Sequence, residues 1–512
     1  MMTRPLPVSL LVLTAVIGTT TPVTASDGAP ARWPQFRGPG GAGIADGPQS
    51  VPVEFGPNQN LLWKAPLPAG HSSPVVWGDR IFVTGFLEGE KKLETLCLDR
   101  SSGRILWRRA VTAVNIEKVH ELNNPAAPTP ATDGQSVFVY FGSYGLVAYD
   151  FDGRERWNKP LPMVHTWFDQ GSGTSPVLSG DRLLLDVHLE KESYLLAVRT
   201  LDGTTAWKTP KPEWNGGWAT PLTWKEGRDT LVGVLNPGRF TAHGIGDGKE
   251  RWWLADLPRQ TCATPVAGDG LLFLSASGVQ GEAENVTLPP SFDEMIRYDA
   301  NGDGRIATDE IPETLLVTDR RAGGAGNTSL RNWQLFFSDG KPTSFDRAAW
   351  DESVRSSAEF VKGPLMQSRV LAVRTGGSGD VTKSHVAWSE SRGVPEVPSP
   401  LLYRGRLYQV KNGGIVLCRD AKSGARVFEA RIGAPGGYYA SPVAANGRVY
   451  VASDAGVVVV FEAQDTLQVL ARNDLGEPIL ATPAVADGAL YVRTTSHLYA
   501  FAAAATTPAP RE

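Results

Sequence analysis

Two patterns of apolar and polar positions take turns along most of the chain. In the first, a Ser/Thr-Pro pair opens onto an apolar strand, a tight turn and a second strand, as in "SSPVVWGDRIFVTG". In the second, an alternating strand, a polar turn with Gly and a further strand end on an aromatic residue. Examples are "LCLDRSSGRILW" to Trp107, "LVAYDFDGRERW" to Trp157, "LLAVRTLDGTTAW" to Trp207, "FTAHGIGDGKERWW" to Trp252 and Trp253, and "VLCRDAKSGARVF" to Phe428. Gly supplies the positive φ that such turns need. The prolines of the first pattern are Pro74, Pro130, Pro176, Pro221, Pro265, Pro400, Pro442 and Pro483, spaced 56, 46, 45, 44, 135, 42 and 41 residues apart. Four short strands at a period near 45 residues predict propeller blades, and eight signals predict eight of them. The fold class is therefore all-β, an eight-bladed β-propeller. A blade cannot bury both faces of its sheet alone, so the regular aromatics are expected to pack between blades rather than bind anything.

The chain ends support a closed ring. "TPAVADGALYVRTTSHLYAFAAA" supplies three strands of a last blade, and "NLLWKAPLPAG", with Trp63, is the expected fourth. Blades 1 to 5 (first part) then span residues 60–278, and the rest of blade 5 through blade 8 span 362–503. Residues 1–25 read as a signal peptide: Arg4, an apolar run too short to span a bilayer, and small residues before a cleavage point after Ala25. Without a cysteine near that point, a lipid anchor is not expected. The expected location is periplasmic, with no transmembrane segment. Residues 26–59, containing "WPQFRGPGGAGI", read as an extended arm on the propeller, and 504–512 as a disordered tail.

The spacing of 135 exceeds the others by about 90 residues, which places an inserted subdomain at 279–361, in a loop between strands of blade 5. Its period changes from strand to helix. "YDANGDGRIATDEI" has the spacing of a helix–loop–helix calcium loop, with Asp299, Asn301 and Asp303 at positions 1, 3 and 5 and Gly304 at 6. Arg305 would ligate through its carbonyl, and Glu310 at position 12 as a bidentate ligand. A degenerate partner around Asp339 and Gly340 is expected to brace it without binding metal. The sequence thus predicts an EF-hand-like helical insertion holding calcium, for stability rather than catalysis.

Composition narrows the function classes. The net charge of −4 is spread among interspersed acids and bases, so no basic stripe suits a nucleic acid. Cys97, Cys262 and Cys418 are too few and too scattered for a disulfide framework. Cys97 and Cys418 fall where other repeats have Ala148, Ala197 or Ala372, as small buried side chains would.

Loops leading into the innermost strands form the mouth of a propeller channel, a usual binding place. Here they carry His71, then His120, Asn123 and Asn124, then His165, Trp167, Asp169 and Gln170. Trp214, Asn215 and Trp218 follow, then Arg259 and Gln260, and last Tyr438 and Tyr439. Three chemistries fit this set, beside the reading in which these residues only fill the mouth. A metal site would use His71, His120, His165 and Asp169. General acid–base work would use Asp169 with His165. A stacking platform for a saccharide, peptide or small planar ligand would use Trp167, Trp218, Tyr438 and Tyr439.

The repeats "LAVRTLDGTTAW" and "CRDAKSGARVF" resemble those of pyrroloquinoline-quinone (PQQ)-type eight-bladed propellers, over nearly all of residues 60–503 outside the insertion. "WPQFRGPGGAGI" is similar to the opening of many exported propellers of this type. The resemblance implies one of two roles. Quinoprotein alcohol dehydrogenases hold PQQ beside a disulfide of adjacent cysteines, with a Glu, Asn and Asp set around an active-site calcium. No Cys-Cys pair exists here, and Asn124, Asn215 and Asp169 match that set by position alone. The other relatives, propeller lipoproteins of outer-membrane protein assembly, are scaffolds for protein partners. The reading favours an exported binding or scaffold protein with calcium in the insertion, its ligand at the mouth and its partner a periplasmic protein or saccharide. The alternatives are a PQQ-dependent periplasmic dehydrogenase of alcohols or sugars, or a polysaccharide-active propeller enzyme.

Overall fold

Each Ser/Thr-Pro pair leads into the first strand of a four-stranded antiparallel unit in the computed structural model. It describes residues 31–503 apart from 48, 167–168, 190–191, 212–216, 259–260, 278–284, 287–288, 316–317, 320–328, 338–342 and 363–366. Blade 3 shows the unit: Val177–Ser179, Arg182–Val187, Tyr194–Arg199 and Thr205–Pro210 pair in chain order. Eight such blades form the propeller, with the first strands of neighbouring blades side by side around the axis. The middle strands are covered on both faces by adjacent blades: Leu183, Leu184, Leu185 and Val187 are all fully buried. This is why these stretches read as continuous apolar runs rather than alternating ones.

The Ser/Thr of the repeating pair has a structural task. Its hydroxyl oxygen accepts the backbone N–H of the matching residue one blade earlier. The links run from Ser73 to Thr129 (2.9 Å), Thr129 to Ser175 (3.0 Å), Ser175 to Thr220 (3.1 Å) and Thr220 to Thr264 (3.2 Å). They continue from Thr264 to Ser399 (2.9 Å), Ser399 to Ser441 (3.0 Å) and Ser441 to Thr482 (2.9 Å). All eight hydroxyl residues are buried. The proline that follows each one has no N–H to satisfy in this crowded place.

At the rim, the tryptophan that ends five of the repeats joins one blade to the next. Trp63, Trp107, Trp157, Trp207 and Trp388 donate Nε1–H to the carbonyls of Arg100, Phe151, Thr200, Ile245 and Ala421 at 2.8 to 2.9 Å. Under each indole lies the turn glycine of the next blade. At Gly203 (φ +70) an added Cβ would sit 2.6 Å from the Trp157 ring. The repeating tryptophans are packing elements. Closure uses both ends of the chain: Leu61–Pro66 pairs antiparallel with His497–Ala502, opposing Trp63 to Ala500.

The segment after residue 31 enters the channel. Arg32–Trp33 pairs with the inner edge of Val75–Trp77. The Pro34 carbonyl accepts from the Thr132 amide, and Gln35 Oε1 from the Leu178 amide. Gly43 and Ala45 bond both backbone groups of Ala444. Ala31 and Gln49 are tied to Gly78 and Gly488, in the turns that follow first strands. Arg37, midway, donates to the Pro400 carbonyl at the start of one. The segment therefore loops in from the turn end, and Arg37 is its deepest charged residue. It covers inner strand edges that would otherwise lack partners.

Within blade 5, between Leu271–Ala276 and Arg369–Arg374, lie the helices Phe292–Met295, Leu330–Phe337 and Arg347–Lys362. Phe292, Met295, Ile306, Ile311, Leu330, Phe345 and Trp350 form a small core there, and Ile306–Ala307 pairs with Ser344–Phe345. The few short helices do not form a recognisable EF-hand pair, the first being only four residues long. The expected calcium site is also corrected: among the described residues, no group of three or more His, Cys, Asp or Glu is placed to hold a metal ion. The loop side chains bind their own backbone instead. Asp299 accepts from the amides of Gly302, Asp303 and Gly304, Asn301 from Asp303, and Asp303 from Arg305. Glu310 accepts from Ala300 and Ala307. The Arg305 side chain bonds Ser344. Short polar side chains that cap nearby amides produce the same spacing as a ligand loop.

Candidate functional site

Among the described residues, those predicted at the mouth are engaged in contacts of their own loops and blades. Asn124 Oδ1 accepts from the Ala126 amide, and His120 Nδ1 from the Leu122 amide, so both shape their own loop. Asn123 clamps that loop to the next by donating to the carbonyls of Gln170 and Ser172. Asp169 is exposed at φ +52 and pairs with Lys118 at 3.2 Å; His165 is exposed too. His71 lies beside Arg493, and burial with that positive charge lowers its imidazole to about 4, so it is neutral at pH 7. Trp218 is half-buried, donates to the Gly171 carbonyl at 2.9 Å and packs against Gly173. Tyr438 belongs to the core, with its hydroxyl on the Ala434 carbonyl. Tyr439 is half-buried; burial raises its phenol, helped by Asp454, Glu396 and Glu121. Trp167, Asn215 and Arg259 lie outside the described residues.

A different set of residues comes together below the mouth, across blades 2 to 4. Asp186, at the end of the second strand of blade 3, is fully buried. Its Oδ1 takes a hydrogen bond from Lys211 Nζ, and its Oδ2 lies 2.9 Å from His188 Nε2. Lys211 also donates to Asn236 Oδ1 of blade 4 at 2.9 Å. Burial pushes the Asp186 carboxyl up, but His188 and Lys211 outweigh it and hold the group well below the usual carboxylate range. Burial lowers Lys211, with Asp186 opposing. The His188 ring lies against Gly217, where an added Cβ would come within 2.6 Å.

This group continues on both sides. His243 contacts Thr241 Oγ1 at 2.9 Å and the Gly248 carbonyl at 3.1 Å; burial lowers it to about 4. On the blade 2 side, Tyr140 is buried within the fields of both Glu117 and Asp186. Glu117 is itself buried and accepts from the Ser172 amide and hydroxyl at 2.8 Å each. Burial raises its carboxyl to about 7, against those two hydrogen bonds.

Such a buried ionisable set is costly to keep and marks a functional-site candidate. A carboxylate that orients an imidazole is also the arrangement that moves protons. Sequence reading passed over it because its members are scattered through three repeats. One trace was present: Asp186 interrupts the apolar run from Leu183 to Val187.

The quinoprotein seat does not fit what is described. No two cysteines are adjacent. Cys97 and Cys418 are buried inside blades, and burial raises all three thiols to about 12. No step is therefore assigned to PQQ.

The sequence family described as outer membrane protein assembly factor BamB matches residues 50–213 and 412–507, just over half of the chain. The chain belongs to this family. Its members' PQQ-type propeller is shared by solved structures that differ in role. BamB from Moraxella catarrhalis is 12% identical and superposes over 87% of this chain and 99% of its own, with a TM-score of 0.50. A europium-containing methanol dehydrogenase is 14% identical over 93% and 98%, with a TM-score of 0.54. The quinohemoprotein alcohol dehydrogenase from Comamonas testosteroni is 13% identical over 94% and 82%, with a TM-score of 0.51. At these identities the likeness is one of fold alone. No curated protein matches the chain.

Proposed function

We propose that this propeller is a periplasmic enzyme acting on a small hydroxylated substrate, an alcohol or a sugar, at the mouth over blades 2 to 4. The observation that carries the reading is the buried Asp186–His188–Lys211 group. Asp186 would orient His188, and Lys211 would keep the carboxylate ionised, so that the imidazole can take a proton from a substrate hydroxyl. The class of reaction is the dehydrogenase alternative of the sequence reading, with the electron pair passed to an added acceptor such as the assay dye, and the fold it shares with alcohol dehydrogenases supports it. The leader-like N-terminus and the family support export.

The test is turnover. Purified protein is incubated with a panel of alcohols and sugars, with and without PQQ, and followed by dye reduction and titration heat. Turnover that His188→Gln abolishes in a protein of unchanged circular dichroism and melting temperature would support the reading. Neither heat nor turnover across the panel, or turnover insensitive to His188→Gln, would sink it. A scaffold role is the second reading, favoured by the matched family's description as an assembly factor. Capture of a periplasmic protein, weakened by changes at exposed rim residues such as His165 and Asp169, would favour it.

A further inference from the structure

Arg37, at the inner tip of the channel segment, has no exposed surface. Its Nη2 donates to the Pro400 carbonyl at 2.6 Å and to the Ala42 carbonyl at 3.4 Å. Among the described residues, Nε and Nη1 have no partner. The only influence shifting its ionisation is burial, which lowers it to about 9; a nearby carboxylate would have acted in the other direction. The guanidinium is therefore still charged at pH 7, enclosed, and among the described residues bonded only to neutral carbonyls. Arg493, the other fully buried arginine, differs: it donates to the Ser72 carbonyl and hydroxyl and to the Pro68 carbonyl, and lacks a partner only at Nε.

A buried, uncompensated charge costs several kcal/mol, and water can satisfy donors without neutralising the charge. The surroundings are tight. An added Cβ on Gly43 would lie 3.0 Å from Arg37 Nη2 and 3.2 Å from both Leu401 and the Pro442 carbonyl. Pro400 and Pro442 directly follow two members of the hydroxyl ring, Ser399 and Ser441. The site therefore lies in the channel at the level of that ring.

We propose that the channel holds a small monovalent anion of chloride size on the guanidinium of Arg37, as the structural counter-ion of the channel segment. One anion neutralises one charge, and a monovalent ion is the smallest group that does so. The site does not rest on the acid–base reading of blades 2 to 4.

The melting temperature of the full chain in sodium chloride is compared with that in sodium isethionate at equal ionic strength. The expected result is a saturable rise with chloride that is lost in Arg37→Met. Equal melting in the two salts, or a chloride rise that persists in Arg37→Met, would overturn the proposal. A bromide-soaked crystal of the unmodified protein tests the site even if that variant does not fold. An anomalous peak in contact with the guanidinium supports the anion; density for water alone at Nε and Nη1 refutes it.

Discussion

Replacing Glu117 by Gln tests whether burial sets the chemistry of the seam across blades 2 to 4. The carboxyl is 3% exposed, and its proton is held to about pH 7 in the folded chain against an ordinary carboxyl value of 4.5. Between those values the folded protein keeps a proton that the unfolded chain has released. The group therefore favours folding most below about pH 4.5, loses that advantage as the pH rises to about 7, and changes little beyond. With 1.36 kcal/mol per pKa unit, the difference between pH 5 and pH 8 is about 2 to 3 kcal/mol. Glutamine cannot ionise, so relative to the parent the variant should gain that amount over the same range. A constant offset is expected too. Both carboxyl oxygens accept from Ser172; Gln keeps a single acceptor, its carbonyl oxygen, and its amide nitrogen can only donate, a loss of about 1 kcal/mol. The informative quantity is the slope. Urea unfolding of both proteins at intervals from pH 5 to 8 measures it. A difference that stays flat across that range would show that Glu117 titrates as an ordinary carboxylate and that the seam is wetter than its burial indicates.

At Gly203, alanine combines a positive φ with a clash against Trp157, and should cost about 2 to 4 kcal/mol in urea unfolding. Gly78→Ala, at φ +57 with nothing within 4 Å, is the control and should cost about 1 to 2 kcal/mol; equal losses would remove the indole from the account. Lys211→Met leaves the Asp186 carboxylate buried without its lysine and should destabilise by about 3 to 5 kcal/mol, most of it recovered in the Asp186→Leu/Lys211→Met double variant. A single variant within 1 kcal/mol of the parent protein would mean that the pair carries no such burden.

The architecture was legible because it repeats. Eight Ser/Thr-Pro pairs, a regular aromatic and a three-strand C-terminus with a spare strand near Trp63 are local or periodic signals, and each states its strand order without reference to a neighbour. The same signals did not reveal their own physical tasks. That seven of the Ser/Thr hydroxyls receive an amide from the preceding blade, and five turn glycines the indole of that blade, became visible only when blades stood side by side.

Where spacing alone was the warrant, the reading failed. Asp299, Asn301, Asp303 and Glu310 are separated as calcium ligands are, yet their oxygens are met by amides of their own loop. Spacing along a chain does not determine which way short polar side chains turn. The candidate site shows the converse. Glu117, Asp186, His188, Lys211 and Asn236 come from three blades and share no motif, and only the stacking of those blades removes them from water together. Arg37 likewise sits in an unremarkable Gly- and Pro-rich stretch. The period of the sequence determined the ring, because strand pairing and turn chemistry are local. Burial decided which charges matter, because desolvation depends on what every other blade covers.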